Sequence, residues 1–306
     1  MNNRRNNKKM NKYYYGAHFS ISNGIYKAID NALEYDCNMM QIFVSNPMGR
    51  SNDKKIDYYM KESDKIKEYI NEKEMKVVIH APYILNLAKI PEFGKDESWW
   101  LKALWKELLI SDYIGSLGVV FHVGKYLDLT IFDAKMNMYK SIKYLIDKMK
   151  DEKLKTYLIL ETSAGQGTEL FATRNDDISE FANFYHLFSK DDKKYLKLCV
   201  DTCHIFTAGY DIRTKKQVNK FFNTFNGLIG LEHLVLIHLN DSKSELSQNV
   251  DRHENLGQGK IGLEGLKQVI KIAVQFKIPT ILETPESSIN EIKLIKKINS
   301  KYNKNN

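Results

Sequence analysis

A chain of 306 residues that is 43% hydrophobic can bury one large core or two ordinary ones, and at 27% charged it has the composition of a soluble globular protein. No apolar run reaches membrane-spanning length, and Met1–Lys12 is Asn, Arg and Lys rather than an apolar leader. The expectation is an intracellular, cytoplasmic protein, or a nuclear or virion-associated one if the source is eukaryotic or viral. The net charge of +8 suits a lysine-rich surface and equally an attraction to a polyanion, so the site residues must choose.

In chain order, short apolar runs predict strands at Tyr13–Phe19, Met39–Val44 and Lys76–His80, with an amphipathic helix over Asp53–Glu72. A helix over Trp99–Ser116 follows, then a strand over Gly118–His122, a helix over Ile131–Lys150, a strand over Tyr157–Glu161 and a helix over Asp177–Ser189. The last third continues with strand Leu196–Asp201, helix Lys215–Gly230, strand Leu234–Leu239, helix Leu263–Phe276, strand Thr280–Glu283 and helix Ser288–Ser300. The strands are rich in Val, Ile, Leu and Phe and lack polar alternation, which suits burial on both faces of a parallel sheet. Eight strand-then-helix units in series imply a closed (β/α)8 TIM barrel rather than an open doubly wound sheet. No linker divides the chain, so one barrel domain is expected over residues 13–301, with disordered tails at 1–12 (basic) and 302–306.

Six successive strands end on a metal-ligand type: His80, His122, Glu161, Asp201, His238 and Glu283. One histidine after an apolar strand is usually structural, but a series of such endings is not, because strand C-termini of a barrel open onto one face, where active sites lie. A rim of histidines and carboxylates there is costly without metal or charge pairing. Asp201-Thr-Cys-His204 adds His204, and Asp251-Arg-His253 adds two residues that can reach one ion from a turning backbone. The set becomes five His and four carboxylates, too many for one ion. Imidazole and carboxylate suit zinc, with manganese or iron as alternatives. Three divalent ions with four carboxylates and a bridging hydroxide leave about one net positive charge, which welcomes an anion such as phosphate. His18, His186 and His233 are read as structural. So are Cys37, Cys199 and Cys203, taken as small core residues of a reducing compartment, with a metal role for Cys203 the second choice.

The strings that carry these residues resemble the endonuclease IV family of zinc-dependent apurinic/apyrimidinic endonucleases. They are Gly-Ala-His18-Phe-Ser, His80-Ala-Pro-Tyr83-Ile-Leu-Asn-Leu-Ala, Glu161-Thr-Ser-Ala-Gly-Gln-Gly-Thr, Asp201-Thr-Cys-His204-Ile-Phe-Thr-Ala-Gly-Tyr-Asp, His238-Leu-Asn-Asp-Ser-Lys, Asp251-Arg-His253-Glu-Asn-Leu-Gly-Gln-Gly-Lys-Ile-Gly and Ile-Leu-Glu283-Thr-Pro. The resemblance implies three zinc ions: the first on His80, His122 and Glu161, the second on Glu161, Asp201, His238 and Glu283, the third on His204, Asp251 and His253. It implies hydrolysis of the phosphodiester 5′ to an abasic site in duplex DNA, with a hydroxide between the first two zincs as nucleophile, Glu161, Asp201 and Glu283 as catalytic carboxylates, and 3′-hydroxyl and 5′-deoxyribose phosphate products. Cleaning of blocked 3′ ends follows from the same chemistry. Tyr83 and Ile84 are implied to enter the duplex, as apolar wedges do elsewhere. Gln166, in the Gly165–Gly167 loop, and Arg252 join them as expected DNA contacts.

Two stretches depart from the family. Asn46-Pro-Met48-Gly-Arg50 places Met48 where the family often has an inserting arginine, with Arg50 slightly displaced, and methionine can wedge but cannot make arginine's polar contacts. Leu246-Ser-Gln-Asn249 replaces a common Gly-Ser-Arg turn. Both bear on DNA grip, for which Met48 and Arg50 remain candidates, and not on the ligands. The alternative enzyme is a metal-dependent sugar isomerase or epimerase of similar barrel fold. Glu161, Asp201, His238 and Glu283 alone resemble its one-metal site, which does not need the other ligands. A DNA-damage binding protein without catalysis predicts a broken ligand position, and none is broken. A monomer is expected, since nothing in the sequence indicates an interface.

Overall fold

A computed structural model describes residues 12–49, 53–171, 178–286 and 288–305. Its strands are β1 (Tyr15–His18), β2 (Met39–Ile42), β3 (Lys76–His80), β4 (Gly118–Phe121), β5 (Tyr157–Glu161), β6 (Leu196–Asp201), β7 (Leu234–His238), β8 (Asp241–Ser242), β9 (His253–Glu254) and β10 (Thr280–Leu282). The α-helices are α1 (Ile25–Glu34), α2 (Asp53–Glu72), α3 (Trp99–Ile114), α4 (Ile131–Asp151), α5 (Ser179–His186), α6 (Thr202–Ala208), α7 (Lys215–Leu228), α8 (Gly262–Phe276) and α9 (Ile289–Asn305). Eight strands close into a parallel barrel in the order β1-β10-β7-β6-β5-β4-β3-β2, while β8 and β9 form a separate antiparallel ribbon. The expected (β/α)8 barrel is therefore the observed fold, and the open sheet is excluded.

Why the strands lack polar alternation is visible in two separate cores. Val77, Ile79, Val119, Phe121, Leu158, Leu160, Leu198 and Val200 point outward into the layer shared with the helices. Met39, Val78, Val120, Ile159, Cys199, Leu236 and Ile281 point inward and form a single apolar layer across the barrel. The eighth inward position, on β1, is Gly16, which pairs with Met39 and Ile281. A Cβ there would lie 1.6 Å from the Met39 carbonyl oxygen, so no larger residue closes the barrel at that point. All three cysteines are buried and free, as small core residues should be.

The helices carry their own boundary signals. Thr130 caps α4 by accepting from the Asp133 N–H at 3.0 Å, and Thr214 with Gln217 forms a reciprocal capping box on α7. Gly115, in left-handed geometry, ends α3. Two helices had no sequence expectation: α1, and the seven-residue α6, which is buried all round and so has no amphipathic period to read. The C-terminal end differs as well. The helix expected to stop at Ser300 continues to Asn305, carrying Tyr302, which packs against the core, so residues 302–305 are helical rather than a disordered tail. Residues 1–11 of the expected basic tail, Arg50, and the first residues of the helix expected from Asp177 lie outside the described residues. No helix among the described residues is long and apolar enough to cross a membrane.

Candidate metal centre

Side chains of a strand alternate, so the residue two positions beyond each member of the inner apolar layer points inward again, one layer closer to the C-terminal mouth. Counting on from Gly16, Met39, Val78, Val120, Ile159, Cys199, Leu236 and Ile281 gives His18, Gln41, His80, His122, Glu161, Asp201, His238 and Glu283. The expected strand-end residues therefore converge because the apolar layer beneath sets their phase. His80 Nε2 and His122 Nε2 lie 3.5 and 3.2 Å from Glu161 Oε2. His238 Nδ1 lies 2.8 Å from Glu161 Oε1 and 3.2 Å from Glu283 Oε2.

The remaining three residues come from above the barrel. Asp201 caps α6 by accepting the His204 N–H at 2.9 Å, which turns His204 back over the rim. The β8–β9 ribbon pairs Ser242 with His253 and carries His253 to the same place. Asp251 then bridges the two, with its oxygens 3.2 Å from His204 Nε2 and 3.2 Å from His253 Nε2. Grouped by distance, possible ligands fall into His80–His122–Glu161, Glu161–Asp201–His238–Glu283, Asp201–His204–His253 and Cys203–Asp251–His253. The first two groups are the first two expected sets. The third set is brought together around Asp251 and His253, with Asp201 and Cys203 also within reach. Cys203 donates to the Arg252 carbonyl at 3.6 Å, and Cys199 belongs to the apolar layer below.

The donor set can be tested against a metal by asking where each imidazole proton goes. His80 Nδ1 donates to the Ala81 carbonyl at 2.7 Å, His204 Nδ1 to the Thr162 carbonyl at 2.9 Å and His253 Nδ1 to the Glu283 carbonyl at 3.2 Å. His238 Nε2 donates to Gln41 Oε1 at 2.8 Å. In each ring one nitrogen is fixed as N–H and the other is aimed at carboxylate oxygens, the pattern of metal-ligating histidine. The buried Glu161 Oε2, His204 Nε2 and His253 Nε2 have no hydrogen-bond partner at all. Lone pairs facing carboxylates at these distances repel unless a cation lies between them, so the residues fit a group of divalent ions. The charge balance without ions says the same. Burial opposes charge on His204, yet Asp201 and Asp251 hold it well above the ordinary histidine range. Burial likewise opposes charge on Glu283, yet His238 and His80 pull it down to about 2.

Three supporting residues were not among the sequence candidates. Gln41, fully buried, accepts from His238 and donates from Nε2 to Glu283 Oε1 at 2.5 Å and to His18 Nδ1 at 3.3 Å. His18, read from sequence as structural, closes that chain, and burial pushes its pKa down to about 4. Period-two counting from the apolar layer would have found both. Asp241 was hidden, because its role exists only in three dimensions. Its carboxylate accepts the backbone N–H groups of Ser242, Gly257, Gly259, Ile261 and Gly262 at 2.8–3.4 Å and so ties the ribbon to the loop beyond it.

The expected DNA contacts are spread around the mouth. Tyr83 is 49% exposed, yet its ring packs 5.3 Å from those of Phe43 and His80 and 5.4 Å from that of His122, so it stands over the ligand cluster. Ile84 is partly buried against the core, and Met48 is 71% exposed. Gln166 uses its amide oxygen to accept the Asp251 N–H at 2.9 Å, and Arg252 is exposed.

The fold and this site together define a TIM barrel whose mouth is built for several metal ions. A family described as Xylose isomerase-like TIM barrel matches residues 29–300. The putative endonuclease 4 of Acanthamoeba polyphaga mimivirus is 35% identical over 300 residues, covering 94% of this chain and 91% of its own. Apurinic-apyrimidinic endonuclease 1 of Saccharomyces cerevisiae is 33% identical over 300 residues, covering 95% and 78%. The crystal structure of endonuclease IV from Thermus thermophilus superposes with a TM-score of 0.71 at 25% identity, covering 94% of this chain and 99% of that one. The chain belongs to the endonuclease IV family.

Proposed function

We propose that the chain is a zinc-dependent apurinic/apyrimidinic endodeoxyribonuclease of DNA repair. It hydrolyses the phosphodiester 5′ to an abasic deoxyribose in duplex DNA, leaves 3′-hydroxyl and 5′-deoxyribose phosphate ends, and removes blocking groups from 3′ ends. It acts as a monomer. The observation that carries this reading is the donor set itself. Five histidines and four carboxylates meet at one mouth, where a one-ion sugar isomerase of the same barrel would need only Glu161, Asp201, His238 and Glu283. The names of the yeast and mimivirus relatives support the same activity.

His80, His122 and Glu161 would hold one zinc, Glu161 with Asp201, His238 and Glu283 a second, and His204, Asp251 and His253 a third, with manganese an alternative occupant. Bound zinc supplies a nucleophilic water at neutral pH and neutralises the phosphate and the departing oxygen. The chain's own part is placement. Glu161 joins two ligand groups, Gln41 fixes the ring of His238, and Asp251, with its N–H held by Gln166, joins the ribbon to His204. Tyr83 fills the space left by the missing base, supported by Ile84, while Met48 and Arg252 line the approach. Arg50 lies outside the described residues. A nucleotide that has lost its base is the cheapest to unstack, which provides part of the selectivity.

The test is incision of a labelled duplex carrying one tetrahydrofuran abasic analogue, with an intact duplex alongside and metal content measured on the same sample. This analogue cannot undergo β-elimination, so a cut requires hydrolysis. A cut leaving a 3′-hydroxyl, with close to three zincs per chain, is the expected result. No cut with three metals bound would point to another phosphoester, and one metal with no cut would revive the isomerase reading.

A further inference from the structure

Outside the metal centre, one buried acidic side chain among the described residues has no hydrogen-bond partner. Glu107 on α3 is fully buried, and neither carboxyl oxygen meets a partner at hydrogen-bonding geometry. The hydroxyl of Ser45, also buried, has none either. The two groups nonetheless act on one another, and the charge of Lys55 on α2 acts on Glu107. Lys55 Nζ donates to the Val44 carbonyl at 2.6 Å. Val44 and Ser45 lie in the loop between β2 and α2, and two residues beyond Ser45 the Pro47 carbonyl accepts the Tyr83 N–H at 2.9 Å. Phe43, just before Val44, packs on the Tyr83 ring at 5.3 Å. A buried polar group this short of partners costs stability, so its presence calls for a use.

We propose that Glu107 is a positioning residue for lesion recognition: through Ser45 and Lys55 it fixes the loop whose Pro47 carbonyl seats Tyr83. The inference rests on the reading of Tyr83 as the residue that enters the duplex. In its neutral form the Glu107 O–H can donate to Ser45 Oγ and leave Lys55 on Val44. In its ionised form it competes with Val44 for Lys55 and loosens the start of the loop. Burial pushes the Glu107 carboxyl up to about 7, against the pull of Ser45 and Lys55, so the two forms exchange near neutral pH. Lys55 and the buried Tyr59, both on α2, are the titratable groups that feel it. The other elements packed on α3 offer none: β3 and β4 turn Val77, Ile79, Val119 and Phe121 that way, and the buried face of α4 is uncharged.

The experiment compares Glu107→Leu, Glu107→Gln, Tyr83→Ala and Glu107→Leu/Tyr83→Ala as zinc-loaded full-length proteins on the tetrahydrofuran duplex from pH 5.5 to 8.5. Glu107→Leu should raise KM about three- to tenfold with kcat and zinc content unchanged, the size of effect expected of coupling through a packed loop. In the Tyr83→Ala background that rise should vanish. Glu107→Gln should keep the low KM at pH 6 and hold it above pH 7, where the wild-type KM climbs. A wild-type KM in Glu107→Leu, or a rise that persists in full without Tyr83, overturns the inference while leaving the nuclease reading intact. An unchanged KM in Tyr83→Ala would instead sink the role given to Tyr83. If Glu107→Leu does not fold, Lys55→Met carries the same comparison.

Discussion

The barrel rim and the ribbon above it deliver the same ligand chemistry on very different backbones. His80, Glu161, Asp201 and His238 end strands whose backbone is paired on both sides, and His122 and Glu283 lie one residue past such strands. Asp251 and His253 depend on an antiparallel ribbon of two residues per strand. A hairpin that short is not stable alone in water. It is held instead by Asp241, which gathers five backbone N–H groups onto one carboxylate. Rim geometry is thus a property of the whole fold, whereas ribbon geometry hangs on one side chain, and the two should fail separately.

Substitution within the rim should have the largest effect. Glu161 is the residue that His80, His122 and His238 all face, so Glu161→Ala strips a ligand from two groups at once. Incision should fall by on the order of 10³-fold or more, with loss of bound metal. Wild-type turnover by a metal-replete Glu161→Ala preparation would break the claim that the rim is one unit. Asp241→Asn sharpens the contrast, since it leaves every rim residue in place. It should lower bound zinc from about three to about two per chain and incision by roughly 10²-fold, because support of this kind matters nearly as much as ligation. Melting temperature should change little; a collapse of the fold would show that the ribbon is not separable.

Gln41→Leu tests the support beneath the rim. It removes the acceptor of the His238 N–H and one donor to Glu283 without touching a ligand. A loss of about ten- to a hundredfold in metal affinity is expected, read by chelator competition. Equal affinity in Gln41→Leu would mean that the ring of His238 is fixed by packing alone.

How much of this is legible in the sequence follows from the same division. Rim ligands are legible because strand periodicity is local and the ligand types are chemically distinctive: each follows a Val, Ile, Leu or Cys of the inner layer by two residues. Gln41 shares that phase but not the chemistry, and His18 has both but reads in sequence as structural. The ribbon strands are too short to show any period, so Asp251 and His253 are reached only through spacing and family resemblance, and Asp241 is not reached at all. Helix α6 is invisible for a related reason, being buried on every face. Glu107 reads in sequence as one more charge on an amphipathic helix, and only the packing of α3 against the loop after β2 sets it apart.

The smallest effect expected concerns that residue and stability rather than activity. A carboxyl whose folded pKa is raised from about 4.5 to about 7 keeps its proton in the native state while the unfolded chain has already lost it. Below pH 4.5 both states are neutral at this site and Glu107 carries no penalty. Between there and pH 7 the unfolded chain releases the proton first, so stability falls as pH rises. Above pH 7 both states are charged and the penalty is constant, at about 1.4 kcal/mol for each pH unit separating the two pKa values. Glu107→Gln has no proton to lose. Its melting temperature should match the wild type near pH 5 and exceed it by a few degrees at pH 8, measured in the presence of saturating zinc so that the ligand histidines stay neutral in both proteins. An equal or lower melting temperature for Glu107→Gln at pH 8 would show that the ionised carboxyl finds a full partner in Lys55. The loop would then be held by an ion pair rather than loosened by one.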